Sequence, residues 1–293
     1  MNEWRPYEEI FGTTHTVSGR VLVRPAVYSP QLQNERHLLV YLPPSYGSGK
    51  RYPVLYMHDG QNLFDAATSF VGEWHVDETM ERLAADGLEA IVVGIPNAGD
   101  ARRDEYSPFY DKRHRSGGRG DAYVRFITET VKPLIDADFD TRPEREATGV
   151  AGSSLGGFIS LYAFFSAPHI FGFAGVMSPA LQFADGALID WVHHARTVPG
   201  LLYVDVGTRE LAFRRTDIPL LRPYSRRYVK LVRRLVHVLE QKGYTRGQTL
   251  CYIEEKGAEH NESAWARRFP DMVRFWLDER HPCGASRGFF RRG

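Results

Sequence analysis

From residue 54 onward the chain alternates short apolar runs with amphipathic stretches of helical spacing, a rhythm that commits it to a mostly parallel sheet with helices on both faces. The apolar runs fall at residues 54–57, 90–95, 146–151, 173–177, 201–206 and 249–253. Helical spacing predicts helices near 74–85, 122–135, 158–165, 185–194, 224–242 and 263–277. Ahead of this series, two strand-like stretches at 14–24 and 37–42 flank a turn-rich segment with Pro30 and Asn34, which predicts an antiparallel pair at one edge of the sheet. With 293 residues, no internal repeat and no long linker, a single α/β domain is expected, with a core at about 14–277 and a flexible tail at about 281–293. Residues 115–120 read as a surface connection.

Charge narrows the partners. Lys and Arg number 37 against 36 Asp and Glu, a net charge of +1, so neither nucleic acid nor an anionic membrane has an electrostatic case. The basic runs at 113–115, 226–234 and 287–292 read as a loop, a solvated helix face and a frayed terminus. No stretch approaches the length of a membrane span, and the first residues carry no apolar run for a signal peptide. Two cysteines, Cys251 and Cys283, are too few for a disulfide framework, and a reducing, cytoplasmic setting is the simpler expectation.

In an open parallel sheet, ligands sit beyond the carboxyl ends of the strands. Four predicted strand ends carry polar groups. The most specific is Gly152-Ser153-Ser154-Leu155-Gly156, a G-x-S-x-G turn between a predicted strand and a predicted helix. Such a turn forces its central serine into a strained backbone, and side chains two residues to either side would collide across it. That register selects Ser154 over Ser153 as a nucleophile.

A serine hydroxyl needs a base, and the base needs a group to hold it. Of 11 histidines, His260 lies in a loop just after an apolar strand and just before a helix; His58 also lies at a strand end. Serine, acid, histidine is the chain order expected of this architecture, which points to the turn 206–210 and to Glu210. Asp205 is the rival, placed inside the strand, and the plain alternative for Glu210 is a surface carboxylate paired with Arg209 or Arg214. Backbone donors for an oxyanion are expected from Leu155 and from the turn after Met57, where Gln61 is preferred and Gly60 follows, with a conformational role for that glycine. The same turn also reads as a plain strand-to-helix connection capped by Asp59 and Asn62. Metalloprotease, zinc-cluster and P-loop motifs are missing, and the expected chemistry requires no cofactor and no metal.

In this order and spacing, VLYMHDGQNLFD, GVAGSSLGG, DVGTRE and GAEHNESAW resemble the putative esterase family of α/β-hydrolases, which includes enterochelin-type siderophore esterases, feruloyl esterases, S-formylglutathione hydrolases and mycolyltransferases. The resemblance spans about residues 14–277. It implies the α/β-hydrolase fold, a Ser154–His260–Glu210 triad, and an oxyanion hole at Gln61 and Leu155. Many relatives carry Asp where this chain has Glu210. Arg103 and Tyr106 lie in a stretch similar to one near the family's active site, as substrate contacts or, for Arg103, as an ion-pair partner of Glu105. The implied activity is ester hydrolysis through an acyl-enzyme, with acyl transfer or a non-catalytic binding role on the same fold as alternatives. The substrate would be a small ester. Phe64, Phe70, Trp74, Phe109, Phe213 and Trp265 fall near predicted rim segments, where they suit aromatic or siderophore-like esters, and equally suit the core.

Overall fold

The computed structural model describes residues 3–210, 222–278 and 283. Its strands are β1 (Arg5–Pro6), β2 (Arg20–Ser29), β3 (Asn34–Leu42), β4 (Val54–His58), β5 (Ile91–Ile95), β6 (Thr148–Ser153), β7 (Phe173–Met177), β8 (Leu201–Arg209) and β9 (Leu250–Glu259). They pair in one sheet in the order β1-β2-β3-β5-β4-β6-β7-β8-β9. The pairs β1–β2, β2–β3 and β3–β5 are antiparallel, and every pair from β5 through β9 is parallel. Helices α1 (Tyr7–Phe11), α2 (Val76–Ala84), α3 (Arg102–Glu105), α4 (Gly120–Phe126), α5 (Lys132–Asp138), α6 (Leu155–Ser166), α7 (Ala187–His194), α8 (Arg222–Gln241) and α9 (Glu262–Leu277) connect and cover it.

Two apolar clusters, one on each face, follow from strand alternation. Val54 and Tyr56 of β4 join the cluster formed with α4 to α8, whereas Leu55 and Met57 join the cluster formed with α1, α2 and α9. All five residues of β4, β5 and β7 are buried, the pattern of strands covered on both sides. The basic run at 226–234 lies on α8, which buries Tyr228, Val229 and Val232 and leaves the solvated face its composition implied. No described helix is long and apolar enough to cross a membrane.

Strand order reverses around β4. The chain runs from β4 to β5 on one side and returns to β6 on the other, so the carboxyl ends of β4 and β6 flank a topological switch point. The crevice beyond those ends is where the candidate site lies.

Several boundaries differ from the expected ones for physical reasons. β2 begins at Arg20 rather than near residue 14 and continues through Pro25 to Ser29, because a bulge between Arg24 and Val27, with Ala26 at φ 50°, absorbs the proline. β8 and β9 outrun their apolar cores by several residues. Apolar patterning marks only the buried part of a strand; backbone pairing carries these two on to Arg209 opposite Glu259. Residues 115–120 are more than a surface connection: Gly117 N–H donates to Asp104 Oδ1 at 2.7 Å, and Gly120 packs against the backbone of Ser107 and Pro108. The cysteines, read as thiols of a reduced protein, are instead joined, Cys251 of β9 to Cys283, with Cα atoms 5.1 Å apart. The rest of the predicted tail lies outside the described residues, as do Phe213 and Arg214.

Candidate active site

At the end of β6 the chain turns directly into α6, and Ser154 sits at the junction with φ 57° and ψ −120°. Few non-glycine residues hold such a conformation, and here neighbouring backbone enforces it. Ser154 N–H donates to the carbonyl of Met177, while Ser154 C=O accepts from the amides of Phe158 and Ala180, all at 3.0 Å. The flanking glycines have the predicted reason: a Cβ on Gly152 would stand 3.0 Å from Gly156 C and from His58 Cδ2. Ser153 belongs to β6, paired with Met177, and is buried. The amides of Leu155 and the next residues begin α6, where no intrahelical acceptor exists for them.

At the ends of β8 and β9, Glu210 and His260 meet. His260 Nδ1 lies 2.6 Å from Glu210 Oε2. Glu210 is fully buried, and its other oxygen, Oε1, accepts from Ser178 Oγ at 2.6 Å and from the amide of Gly207. Burial pushes the Glu210 carboxyl up, but the His260 and Ser178 hydrogen bonds and the His260 charge outweigh it and hold it below the ordinary glutamate range. The imidazole is walled edge-on by Trp265 and Tyr228, at ring distances of 5.0 and 5.7 Å. Asp205, the rival acid, faces elsewhere: it pairs with Arg268 at 3.1 Å and accepts from Ser178 N–H at 3.0 Å.

The turn after β4 departs from expectation in one respect. Asp59, not Gly60, takes the left-handed conformation, with φ 56°. Gly60 is required instead for close approach, since a Cβ there would stand 2.6 Å from the backbone of Gly94 and Ile95. Asp59 is fixed by a two-point ion pair with Arg102, at 2.6 and 2.8 Å, and by Asn97 Nδ2 at 2.7 Å. Burial raises the Asp59 carboxyl, and Arg102 more than reverses this, leaving it below the ordinary range. Gln61 is tethered through Oε1, which accepts from Asn97 N–H at 3.2 Å, and through its carbonyl, which accepts from Thr68 Oγ1 at 2.8 Å.

These turns surround a cleft of about 1130 Å³. Ser154, His260, Gln61, Arg103 and Trp74 all line it, with Arg102, Glu262, Trp265 and the exposed Phe70. Tyr106 does not: it is wholly buried, and its hydroxyl accepts from the amide of Asp59 at 3.0 Å, so it braces the turn rather than meeting a ligand. Arg103 is not the partner of Glu105, which instead forms a buried two-point pair with Arg36, both contacts at 3.0 Å. Of the rim aromatics, Phe64 is core and Phe109 packs on Phe158 and Tyr162. Metal-ligand spacing occurs among the described residues at Glu73, His75 and Glu78. There His75 Nδ1 itself bridges the two carboxylates, at 3.4 and 3.1 Å.

Residues 29–276 match the family described as "Putative esterase". The chain belongs to that family. As a Putative esterase it is 28% identical over 250 residues to the uncharacterized protein YbbA of Bacillus subtilis, covering 83% of this chain and 92% of YbbA. Its α/β-hydrolase fold is shared with the BES protein of Bacillus cereus, at a TM-score of 0.67 and 19% identity over 90% of this chain and 97% of the other. It is shared too with the siderophore hydrolase EstA of Aspergillus nidulans, at a TM-score of 0.65 and 18% identity over 87% and 95%. Within this Putative esterase, sequence patterning did not single out Ser178, Arg268, Asn97 or Arg102. Arg268 did leave a signal: it interrupts the apolar face of α9 formed by Trp265, Phe269 and Met272. A charge there needs buried partners. Ser178, a lone serine after a strand, left none.

Proposed function

We propose that this protein is a serine carboxylic-ester hydrolase in which Ser154 is the nucleophile, His260 the general base and acid, and Glu210 the orienting acid. The observation that carries this reading is the backbone of Ser154, held at φ 57° on a strand-to-helix turn that lines a cleft His260 also lines. Ser154 Oγ attacks the ester carbonyl as its proton passes to His260 Nε2. The developing oxyanion is stabilised by the amides of Leu155 and Gln61. Collapse expels the alcohol, which takes its proton from His260, and leaves an acyl group on Ser154. Water, deprotonated by His260, then attacks the acyl carbonyl and releases the acid. Each step uses groups of this chain and water only.

Glu210 holds Nδ1 protonated, so that Nε2 keeps its lone pair for the serine proton, and stabilises the imidazolium once it forms. The substrate we propose is a small ester bearing an aromatic ring, siderophore-like in that respect. Phe70, Trp74 and Trp265 at the cleft, and the fold shared with a siderophore hydrolase, support this choice. A fluorophosphonate probe tests the nucleophile: digestion and mass spectrometry should find the adduct on the peptide containing Ser154, and an unlabelled protein or an adduct on another residue would reject it.

A further inference from the structure

Beneath the Glu210–His260 pair lies a chain of buried polar groups that the mechanism above does not use. Arg268, on α9, is 1% exposed and donates from Nη2 to Ser178 Oγ at 3.0 Å. Ser178 Oγ in turn lies 2.6 Å from Glu210 Oε1. An arginine can only donate, and a serine hydroxyl has one proton. With Arg268 occupying an acceptor site on Oγ, that proton is committed to Glu210. The direction of the relay is therefore set by chemistry: Arg268 to Ser178 to Glu210.

The rest of the surroundings holds this relay in place. Ser178 sits at φ 38°, just past the end of β7, with its amide donating to Asp205 Oδ1 and its carbonyl accepting from Tyr228 Oη at 2.7 Å. Arg268 Nε is 3.1 Å from Asp205 Oδ2, and Nη1 is 3.6 Å from Glu255 Oε2. Met177 and Ala180, on either side of Ser178, both bond the backbone of Ser154. One four-residue span, 177–180, thus braces the candidate nucleophile and the candidate acid together.

We infer that Ser178, polarised by Arg268, is a positioning residue for the triad acid: it ties down Glu210 Oε1 as an ionised acceptor and so leaves Oε2 aimed at His260 Nδ1. The inference rests on the serine-hydrolase reading. A glutamate has one more rotatable bond than an aspartate, and two donors on Oε1, Ser178 Oγ and Gly207 N–H, remove that freedom. The charged groups facing Glu210 are His260 from the end of β9, Asp205 from β8 and Arg268 from α9, with the Tyr228 hydroxyl from α8 and Glu255 of β9 beyond Arg268. Removing the Ser178 donor leaves the carboxylate more basic, because Asp205 still repels its charge and less remains to offset the burial.

The test is Ser178→Ala, with p-nitrophenyl acetate hydrolysis followed against pH and thermal melting measured alongside. We expect kcat to fall about 10- to 100-fold, the size of one hydrogen bond to a charged group, with little change in KM. The acid limb of the kcat/KM profile should move to higher pH. Should Ser178→Ala melt below the assay temperature, Arg268→Lys takes its place, since it keeps the charge beside Asp205 but not the planar fork that reaches Asp205 and Ser178 at once. The same kcat loss and the same shift are expected. Lowered melting with kcat and pH profile intact would make the network structural and overturn the inference, as would the unfolding of both variants. Wild-type protein that neither hydrolyses the ester nor labels with a fluorophosphonate would reject the serine-hydrolase reading itself, and the inference with it.

Discussion

His260 Nδ1 and Glu210 Oε2 stand 2.6 Å apart, across the ends of two neighbouring parallel strands. Glu210→Gln tests what that contact does. The amide keeps the size and most of the hydrogen bonding but can no longer fix the proton on Nδ1. We expect kcat for p-nitrophenyl esters to fall by about three to four orders of magnitude, while fluorophosphonate labelling slows without vanishing. A loss under about tenfold would remove Glu210 from the triad.

Arg102 pairs with Asp59 in the turn that also carries Gln61, whose amide is the proposed oxyanion donor. Arg102→Met leaves a carboxylate in the left-handed turn with no cation to offset its burial. The turn should loosen and kcat should fall about 10- to 100-fold with KM raised, read by steady-state kinetics. Unchanged kinetics would show that the ion pair does not set the position of the turn.

His58 supplies a pH-dependent term in stability. It is buried beneath the elbow, its Nδ1 2.9 Å from Tyr123 Oη, and burial, aided by the Arg102 charge and opposed by Asp59, lowers its pKa to about 3. Above the unfolded value of 6.5 neither state binds the proton and the contribution is complete. Between 6.5 and about 3 the unfolded chain binds a proton that the folded protein refuses, so stability is lost as pH falls, by about 1.4 kcal/mol per pH unit. Asp205, pushed up to about 6 by burial, and Asp77, pushed up to about 8 by burial, act in the opposite sense. The comparison of wild type with His58→Asn isolates the histidine. In urea unfolding from about pH 7 down to about pH 4, the variant should lose this part of the acid slope. Equal slopes would contradict the assignment.

Arg36 and Glu105 form a buried pair whose guanidinium also lies over the rings of Tyr123 and Phe126, at 5.8 and 5.2 Å. Glu105→Gln strands a buried cation. Unfolding free energy should drop by about 3–5 kcal/mol in denaturant titrations. A change below about 1 kcal/mol would mean that the pair is no better than a surface one.

Much of this was legible in the sequence, and the exceptions share a cause. The parallel strands from β4 onward, the covering helices, Ser154 and the loop holding His260 could be read because apolar periodicity and strand-end placement are local signals. Glu210 was separable from Asp205 only by chain order, and the structure draws the distinction by direction: Glu210 meets His260, while Asp205 turns to Arg268. What escaped was non-local. The Arg36–Glu105 pair joins residues 69 apart in sequence, and Arg268–Ser178 joins residues 90 apart. Burial of Tyr106 and the disulfide of Cys251 with Cys283 likewise depend on tertiary proximity that composition and spacing do not encode.

Whether Ser154 performs the chemistry is decided by the turnover of a p-nitrophenyl ester by Ser154→Ala, measured beside wild type. A serine-to-alanine change at this elbow removes one oxygen, and a melting curve confirms that the fold persists. The expected result is a loss of kcat of at least about 10⁴-fold together with loss of the fluorophosphonate adduct. Turnover by Ser154→Ala undiminished from wild type would contradict it.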